Sequence, residues 1–430
     1  MNVTVAGLWH LGCVTAACLA KAGHDVLAYD PDENVIANLI KNNPPIYEPG
    51  LNDLLHEGID AKKITYTSNI TALRKSDIIW VTFDTPVDHN DVADVDYVIQ
   101  HVKKIIQHVP RHSLVIISSQ LPVGTIKALQ TYCMEACPDK EITLACIPEN
   151  LRLGKAISVF TQPDRIIIGV DCTKHNDQLV ALLLPFTTHL IWMSIVSAEM
   201  TKHAINAFLA VSVTFINEIA ALSETLGANA HDIELALKSE ERIGPKAYLR
   251  PGEAIAGGTL MRDIHYLMQA GEQQQRDMFL ISAIAESNHY HKEWACRKLT
   301  ALFTHLKGKK VAMLGLTYKA GTDTLRRSTA IETCSWLHQQ GANIHAYDPV
   351  ITHLPDDLSH YIQMKLNISD ALLDADAVII STEWPQFREL TPEAFTQNEK
   401  YPFVLDPNGF IAKNVTTDSR IKYYSVGVPS

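Results

Sequence analysis

The chain has 430 residues, 47% of them hydrophobic and 20% charged, a balance that supplies large apolar cores and excludes bulk disorder. With 37 Lys and Arg against 48 Asp and Glu, its formal net charge of −11 lacks the basic footprint of a nucleic-acid binder. Eight cysteines are too sparse at this length for a dense disulfide framework, and imply the reduced thiols of a cytoplasmic protein.

Length alone argues for about three domains. The opening Met1-Asn2-Val3-Thr4-Val5 carries no basic residues ahead of an apolar block, so no secretory signal is expected. Val3–Ala6, His24–Tyr29, Asp77–Phe83, Ser113–Ser118, Ile142–Ile147 and Arg165–Val170 read as strands rich in Val and Ile. Helical patterns such as Val14–Ala22 and Val98–His108 lie between them. This alternation predicts a parallel, doubly wound sheet over residues 1–196. Cys133 and Cys137 have no second pair at zinc spacing, so no metal site is expected. The near-apolar stretch Leu179–Val196 is interrupted by Pro185, Thr187, Thr188 and His189. It reads as a helix end followed by a strand, and no membrane partner is expected.

From Ala198 to Leu226 apolar residues recur at helical spacing with no Pro or Gly, which predicts a helix of roughly 30 residues, about 45 Å long. A helix of that length bridges domains or packs against its copy in a dimer. Residues 197–298 are therefore expected to form a central helical, dimerising domain. Beyond Lys307-Gly308-Lys309-Lys310 the alternation resumes, with Val311–Leu316, Asn343–Tyr347, Ala377–Ser381 and Phe403–Leu405 as strands of a second α/β domain over 299–430. The expected architecture is α/β: two Rossmann-like doubly wound domains joined by a long central helix. No tandem repeat is visible.

The first strand runs into Gly7-Leu8-Trp9-His10-Leu11-Gly12 and a helix, and Asp30 ends the second strand. In a dinucleotide-binding βαβ unit, glycines let the backbone approach the pyrophosphate, the helix N-terminus supplies N–H groups, and the acid binds ribose hydroxyls. Trp9 stands where that pattern has its middle glycine, so these residues alone read either as a nucleotide cradle or as a structural βα turn. Asp30 favours NAD over NADP, because a carboxylate repels a 2′-phosphate.

The remaining motifs carry a resemblance. Pro44-Pro45-Ile46-Tyr47-Glu48-Pro49-Gly50-Leu51, Thr85-Pro86, Asp94-Val95-Asp96-Tyr97, Ile147-Pro148-Glu149-Asn150-Leu151-Arg152-Leu153-Gly154 and Phe160-Thr161-Gln162-Pro163-Asp164-Arg165 follow one another in order. So do Ala198-Glu199-Met200-Thr201-Lys202, Asn206-Ala207-Phe208, Asn217-Glu218 and Gly315-Leu316-Thr317-Tyr318-Lys319, with Thr322-Asp323, Arg326 and Ser328 after them. End to end the chain resembles the UDP-glucose/GDP-mannose (nucleotide-sugar) 6-dehydrogenase family.

That resemblance implies NAD-dependent oxidation of the C6 alcohol of a nucleotide sugar, a UDP-sugar being the family's commonest substrate, by a homodimer. Lys202, Asn206 and Asp263 match the groups that surround the C6 oxygen, and Lys202 and Asn206, four apart, share a helix face. Gly7, Leu8, Leu11, Gly12, Asp30, Thr85, Gln120, Arg262 and Arg326 match cofactor positions. Leu151, Arg152, Arg242, Tyr248, Gly257 and Lys319 match positions that grip the nucleotide and sugar. Glu149 matches a carboxylate that acts as a base or holds its loop.

The departures cluster on the second oxidation, in which a cysteine thiolate traps the aldehyde. Alignment from Pro251-Gly252 to Asp263 puts Thr259 at the cysteine position. Leu153 replaces a second carboxylate and Gln120 a threonine of the same step, while apart from it Arg327 replaces an acid beside Arg326, toward the cofactor pyrophosphate. Cys146, just before Ile147, reads as a relocated nucleophile or as buried packing. The chain is thus expected to be a dehydrogenase whose reaction can end at the aldehyde, or a nucleotide-sugar-binding homologue without turnover.

Overall fold

A computed structural model describes residues 1–86, 93–396 and 400–429, which form two compact units, Met1–Ile205 and Asn206–Ser430. The boundary falls within one continuous helix, Ile195–Leu226, of 32 residues.

The first unit is built on an eight-stranded sheet. Its strands are β1 (Asn2–Ala6), β2 (Asp25–Tyr29), β3 (Ile64–Thr67), β4 (Ile78–Val81), β5 (Leu114–Ile117), β6 (Thr143–Cys146), β7 (Ile166–Gly169) and β8 (Leu190–Met193). They lie in the order β3-β2-β1-β4-β5-β6-β7-β8. β4 and β5, Ile-Ile-Trp-Val and Leu-Val-Ile-Ile, are buried at every position, as befits strands covered on both faces. Neighbours run parallel except β6 and β7, which meet antiparallel at Cys146 and Gly169. This corrects the expectation of a parallel sheet at that point. Gly169 permits the approach, since a Cβ there would lie 2.6 Å from the Ala198 methyl group. β3 was not foreseen: Ile-Thr-Tyr-Thr is a half-exposed edge strand with one aliphatic residue.

The second unit carries the rest of the long helix, four helices that follow it in sequence, and a six-stranded parallel sheet with its own connecting helices. That sheet comprises β9 (Lys310–Leu314), β10 (Asn343–Tyr347), β11 (Ile362–Met364), β12 (Ala377–Ile380), β13 (Phe403–Leu405) and β14 (Lys422–Tyr424), in the order β11-β10-β9-β12-β13-β14. β11 (Ile-Gln-Met) and β14 (Lys-Tyr-Tyr) lack the unbroken apolar run that marks the equally short β13 (Phe-Val-Leu).

Both sheets therefore contain the 3-2-1-4-5-6 order of a dinucleotide-binding fold, and the likeness extends to single atoms. Gly7, at φ +98°, donates its N–H to Tyr29 O, and Gly315, at φ +89°, donates to Tyr347 O. Leu8 N donates to Asp30 and Leu316 N to Asp348, each at 2.7 Å. Thr82 N donates to Ala6 O, and Thr382 N to Leu314 O, each acceptor just before the matched glycine. The two sheets thus repeat one arrangement of strands and turn.

Candidate active site

The cofactor cradle is set by close approach of backbone to backbone. A Cβ on Gly7 would lie 2.6 Å from Phe83 N, and one on Gly12 would lie 1.8 Å from Gly7 O. Only glycine fits at either place. The helix His10–Lys21 that follows has no side-chain cap at its N-terminus, where Trp9 stands. Its first N–H groups and partial positive charge face the turn, as an anion site requires. Trp9 is exposed, so its indole is not packed into the body of the unit. Asp30 accepts from Leu8 N at 2.7 Å and Asp32 N at 3.0 Å. Burial pushes its carboxyl above the ordinary range, against those two N–H bonds. The turn and acid fit the pyrophosphate and ribose of NAD.

The sequence reading missed an aromatic cluster beside this cradle. Phe83 stacks on His101 with ring centroids 4.7 Å apart, and Tyr97 meets His101 edge-on at 4.5 Å. Burial holds the His101 imidazole below its usual range. Both Tyr97 and His101 lie on the helix Val95–His108, where they register only as part of an amphipathic pattern. Their spacing of four residues was the available signal.

The turn carrying Gln120 is anchored to the long helix. Thr85 Oγ1 donates to Gln120 O at 2.7 Å. Gly124 opens the helix Thr125–Ala136 without a side chain to cap it. The Glu199 carboxylate takes that role, accepting Gly124 N at 2.7 Å and Ile126 N at 2.9 Å. His203 Nε2 donates to Leu121 O at 3.0 Å. One turn of helix thus positions Gln120 and presents Lys202.

Lys202 Nζ lies 3.2 Å from Glu149 Oε1, and the other Glu149 oxygen accepts Leu151 N at 2.9 Å. Glu149 therefore both pairs with the ammonium and folds its own loop. Gln120, Cys146, Glu149, Glu199, Lys202 and His203 line one small cavity. Cys146 is unsuited to nucleophilic work there. Burial, reinforced by Glu199, pushes its thiol far above the ordinary range, and a neutral buried thiol is packing. Leu11, which lines a second cavity with Glu149 and Leu151, lies in the first turn of the first helix. Arg152 accepts Lys155 N through its carbonyl in the same loop.

In the second unit Asn206 Nδ2 donates to Asp263 Oδ2, and both residues are buried. Thr259 is the exposed first residue of the helix Thr259–Gln273, which also bears Arg262. The two cysteines of this unit, Cys296 and Cys334, are buried, and burial pushes the Cys296 thiol up to about 12. Gly257, at φ +72°, lies against the Tyr318 ring, which would be 3.0 Å from a Cβ. Lys319 Nζ stands 5.6 Å from the centroid of the same ring. Arg242, by contrast, pairs with Glu240 on the surface, and Tyr248 and Arg326 are exposed.

Three family models match the chain in succession: the NAD binding domain of the UDP-glucose/GDP-mannose dehydrogenase family over residues 1–187, its central domain over 196–290 and its UDP binding domain over 312–413. A UDP-glucose 6-dehydrogenase of Rhizobium meliloti (strain 1021) is 32% identical over 437 residues, covering 100% of each chain. UDP-glucose 6-dehydrogenase TuaD of Bacillus subtilis (strain 168) is 31% identical, covering 100% of this chain and 94% of its own. The solved structure of a UDP-glucose dehydrogenase from Pyrobaculum islandicum shares 26% identity and a TM-score of 0.87, over 100% of this chain and 98% of that one. With these matches spanning it from end to end, the chain belongs to the UDP-glucose/GDP-mannose dehydrogenase family.

Proposed function

We propose that the chain is an NAD-dependent nucleotide-sugar dehydrogenase that oxidises a primary alcohol and releases the aldehyde. The carrying observation is that Lys202–Glu149 and Asn206–Asp263 are retained as paired, polar groups, whereas position 259 offers a hydroxyl in place of a thiol. Gly7, Gly12, Asp30 and the N-terminus of His10–Lys21 would hold NAD, which supplies the hydride acceptor. Thr85, Gln120, Arg262 and Arg326 are assigned to the same cofactor. Leu151, Arg152, Arg242, Tyr248, Gly257 and Lys319 are assigned to a UDP-sugar, in keeping with the family's UDP binding domain.

Oxidation of the alcohol removes a hydride from carbon and a proton from oxygen. The Lys202 ammonium is suited to stabilise the developing alkoxide, and Asn206 to donate to it. The Asp263 carboxylate is the group that receives the proton. Oxidation of the aldehyde by the thioester route would need an ionised nucleophile. A threonine hydroxyl stays protonated at neutral pH, so after the first oxidation position 259 does not trap the product.

Residues 1–196 serve the cofactor, 197–298 the helical junction, and 299–430 the nucleotide. Phe208, Phe215 and Leu222 are exposed at seven-residue intervals on the long helix, an apolar seam that supports a homodimer. The same helix is long and apolar enough to cross a membrane by composition alone, but it buries Glu199, Lys202, His203, Asn206 and Asn217, which suits a core helix. Eight free thiols support a reducing, cytoplasmic setting.

The test is the count of NADH formed per nucleotide sugar consumed, read at 340 nm, with an amine present to trap aldehyde. One NADH with trapped aldehyde is expected. Two NADH with a carboxylate product overturns the truncated reaction, and tight sugar-nucleotide binding with no NADH overturns catalysis.

A further inference from the structure

Glu48 is a buried carboxylate that joins two segments with separate tasks. It is 1% exposed and holds three donors. His10 Nε2 donates to Oε2 at 2.9 Å, Gly154 N donates to Oε2 at 2.8 Å, and Ala156 N donates to Oε1 at 2.8 Å. His10 is the first residue of the helix whose N-terminus faces the cofactor turn. Gly154 ends the loop that begins at Glu149 and carries Leu151 and Arg152, and Ala156 opens the short helix after it. The donors lie 38, 106 and 108 residues from Glu48 in sequence, so nothing local imposes the arrangement.

Capping of Ala156–Thr161 accounts for the bonds to Gly154 and Ala156, since Lys155 provides no side-chain cap. It does not account for His10. An imidazole 16% exposed at the mouth of the cofactor turn spends a ring N–H on a carboxylate that otherwise serves the substrate loop. A buried charge with several donors holds all of them in register with one another.

We propose that His10 and Glu48 are positioning residues that couple the cofactor turn to the substrate loop. Occupancy of the helix N-terminus by the pyrophosphate quenches motion of the first turn, fixes His10 on Glu48, and so fixes Gly154, Ala156 and the loop behind Glu149. The cofactor then orders the loop before the sugar arrives. This rests on the cofactor reading given above.

Hydrogen exchange of the full chain tests it, with NAD as the only ligand. In the wild-type chain, saturating NAD is expected to slow exchange of the Gly154 and Ala156 amides about fivefold or more, the low end of ordinary site-to-site coupling. His10→Phe removes the donor and keeps the cap, so the slowing should fall below about twofold although NAD still binds. His10→Gln keeps a donor and should restore it. Equal slowing in wild type and His10→Phe overturns the coupling. So does a wild-type chain that binds NAD without slowing these amides. A chain that binds no NAD overturns the cofactor reading and this inference with it. Should His10→Phe fail to fold, Glu48→Gln in the same measurement must show weakened slowing, or the coupling falls.

Discussion

The Lys202 ammonium and the Glu149 carboxylate stand 3.2 Å apart, with side chains 10% and 21% exposed. A pair this enclosed is screened little by solvent, and each member loses its counter-charge when the other is removed. Lys202→Ala should therefore lower kcat by about 10²–10⁴-fold, the range of a lost transition-state group. Glu149→Gln keeps the loop bond to Leu151 N and should cost less. Steady-state kinetics on both variants decides the matter: equal losses would remove Lys202 from any direct role in the chemistry.

Thr259→Cys alone is expected to keep the steady-state yield near one NADH per sugar and to strand an acyl adduct on the new thiol, visible by intact mass, because Leu153 and Gln120 still replace the groups associated with water activation. The triple variant Thr259→Cys, Leu153→Glu, Gln120→Thr should move the yield toward two, as the adduct on the introduced thiol turns over. A triple variant that forms neither adduct nor second NADH would mean that the thioester route fails for reasons outside these three positions.

Glu253 is one group through which stability depends on pH. Enclosure of its carboxyl, with Glu383 and Asp406 adding repulsion and Ser381 Oγ opposing them, pushes it up from an ordinary 4.5 to about 8. The folded chain therefore keeps a proton that the unfolded chain releases, so this group withdraws stability as pH rises from about 4.5 to 8. The loss is on the order of 4 kcal/mol at the upper end. Thermal melts should show Tm falling across that window in the wild type and falling less in Glu253→Gln. Parallel slopes would assign the pH dependence to other groups.

The seam of Phe208, Phe215 and Leu222 makes the fourth expectation. Phe215→Glu places a charge at its centre; light scattering should show the proposed dimer in the wild type and a monomer in the variant at micromolar concentration, with the circular dichroism of the two alike. An unchanged dimer would place the interface elsewhere.

What could be read from the sequence was what repeats locally. Buried Val and Ile runs marked β1, β4 and β5, and the absence of Gly and Pro marked the long helix, because burial and helix geometry act over neighbouring residues. Gly7, Gly12 and Asp30 were legible because their spacing follows from one βαβ turn. The antiparallel β6–β7 contact depends on the small Gly169 meeting Ala198, and Glu48 serves residues 106 and 108 positions away. Such long-range bonds leave no periodic trace. Phe83 and His101 were hidden for a related reason, since an aromatic cluster assembled from a strand end and a helix looks like ordinary core in either segment. The roles of Asn206 and Asp263 were accessible only through resemblance, as an Asn and an Asp 57 residues apart have no pattern of their own.

The repeated fold carries a consequence for ligand stoichiometry. Asp30 has two N–H partners and therefore spare lone pairs. Asp348, its counterpart, is 4% exposed and receives Leu316 N, Thr317 N, Val350 N, Ile351 N and the Trp384 indole N–H. Five donors saturate a carboxylate with about four acceptor positions. The first acid is left able to accept further donors, whereas the second is an internal staple. On the proposed cofactor reading, one NAD per chain is therefore expected although the fold has two dinucleotide-type sheets.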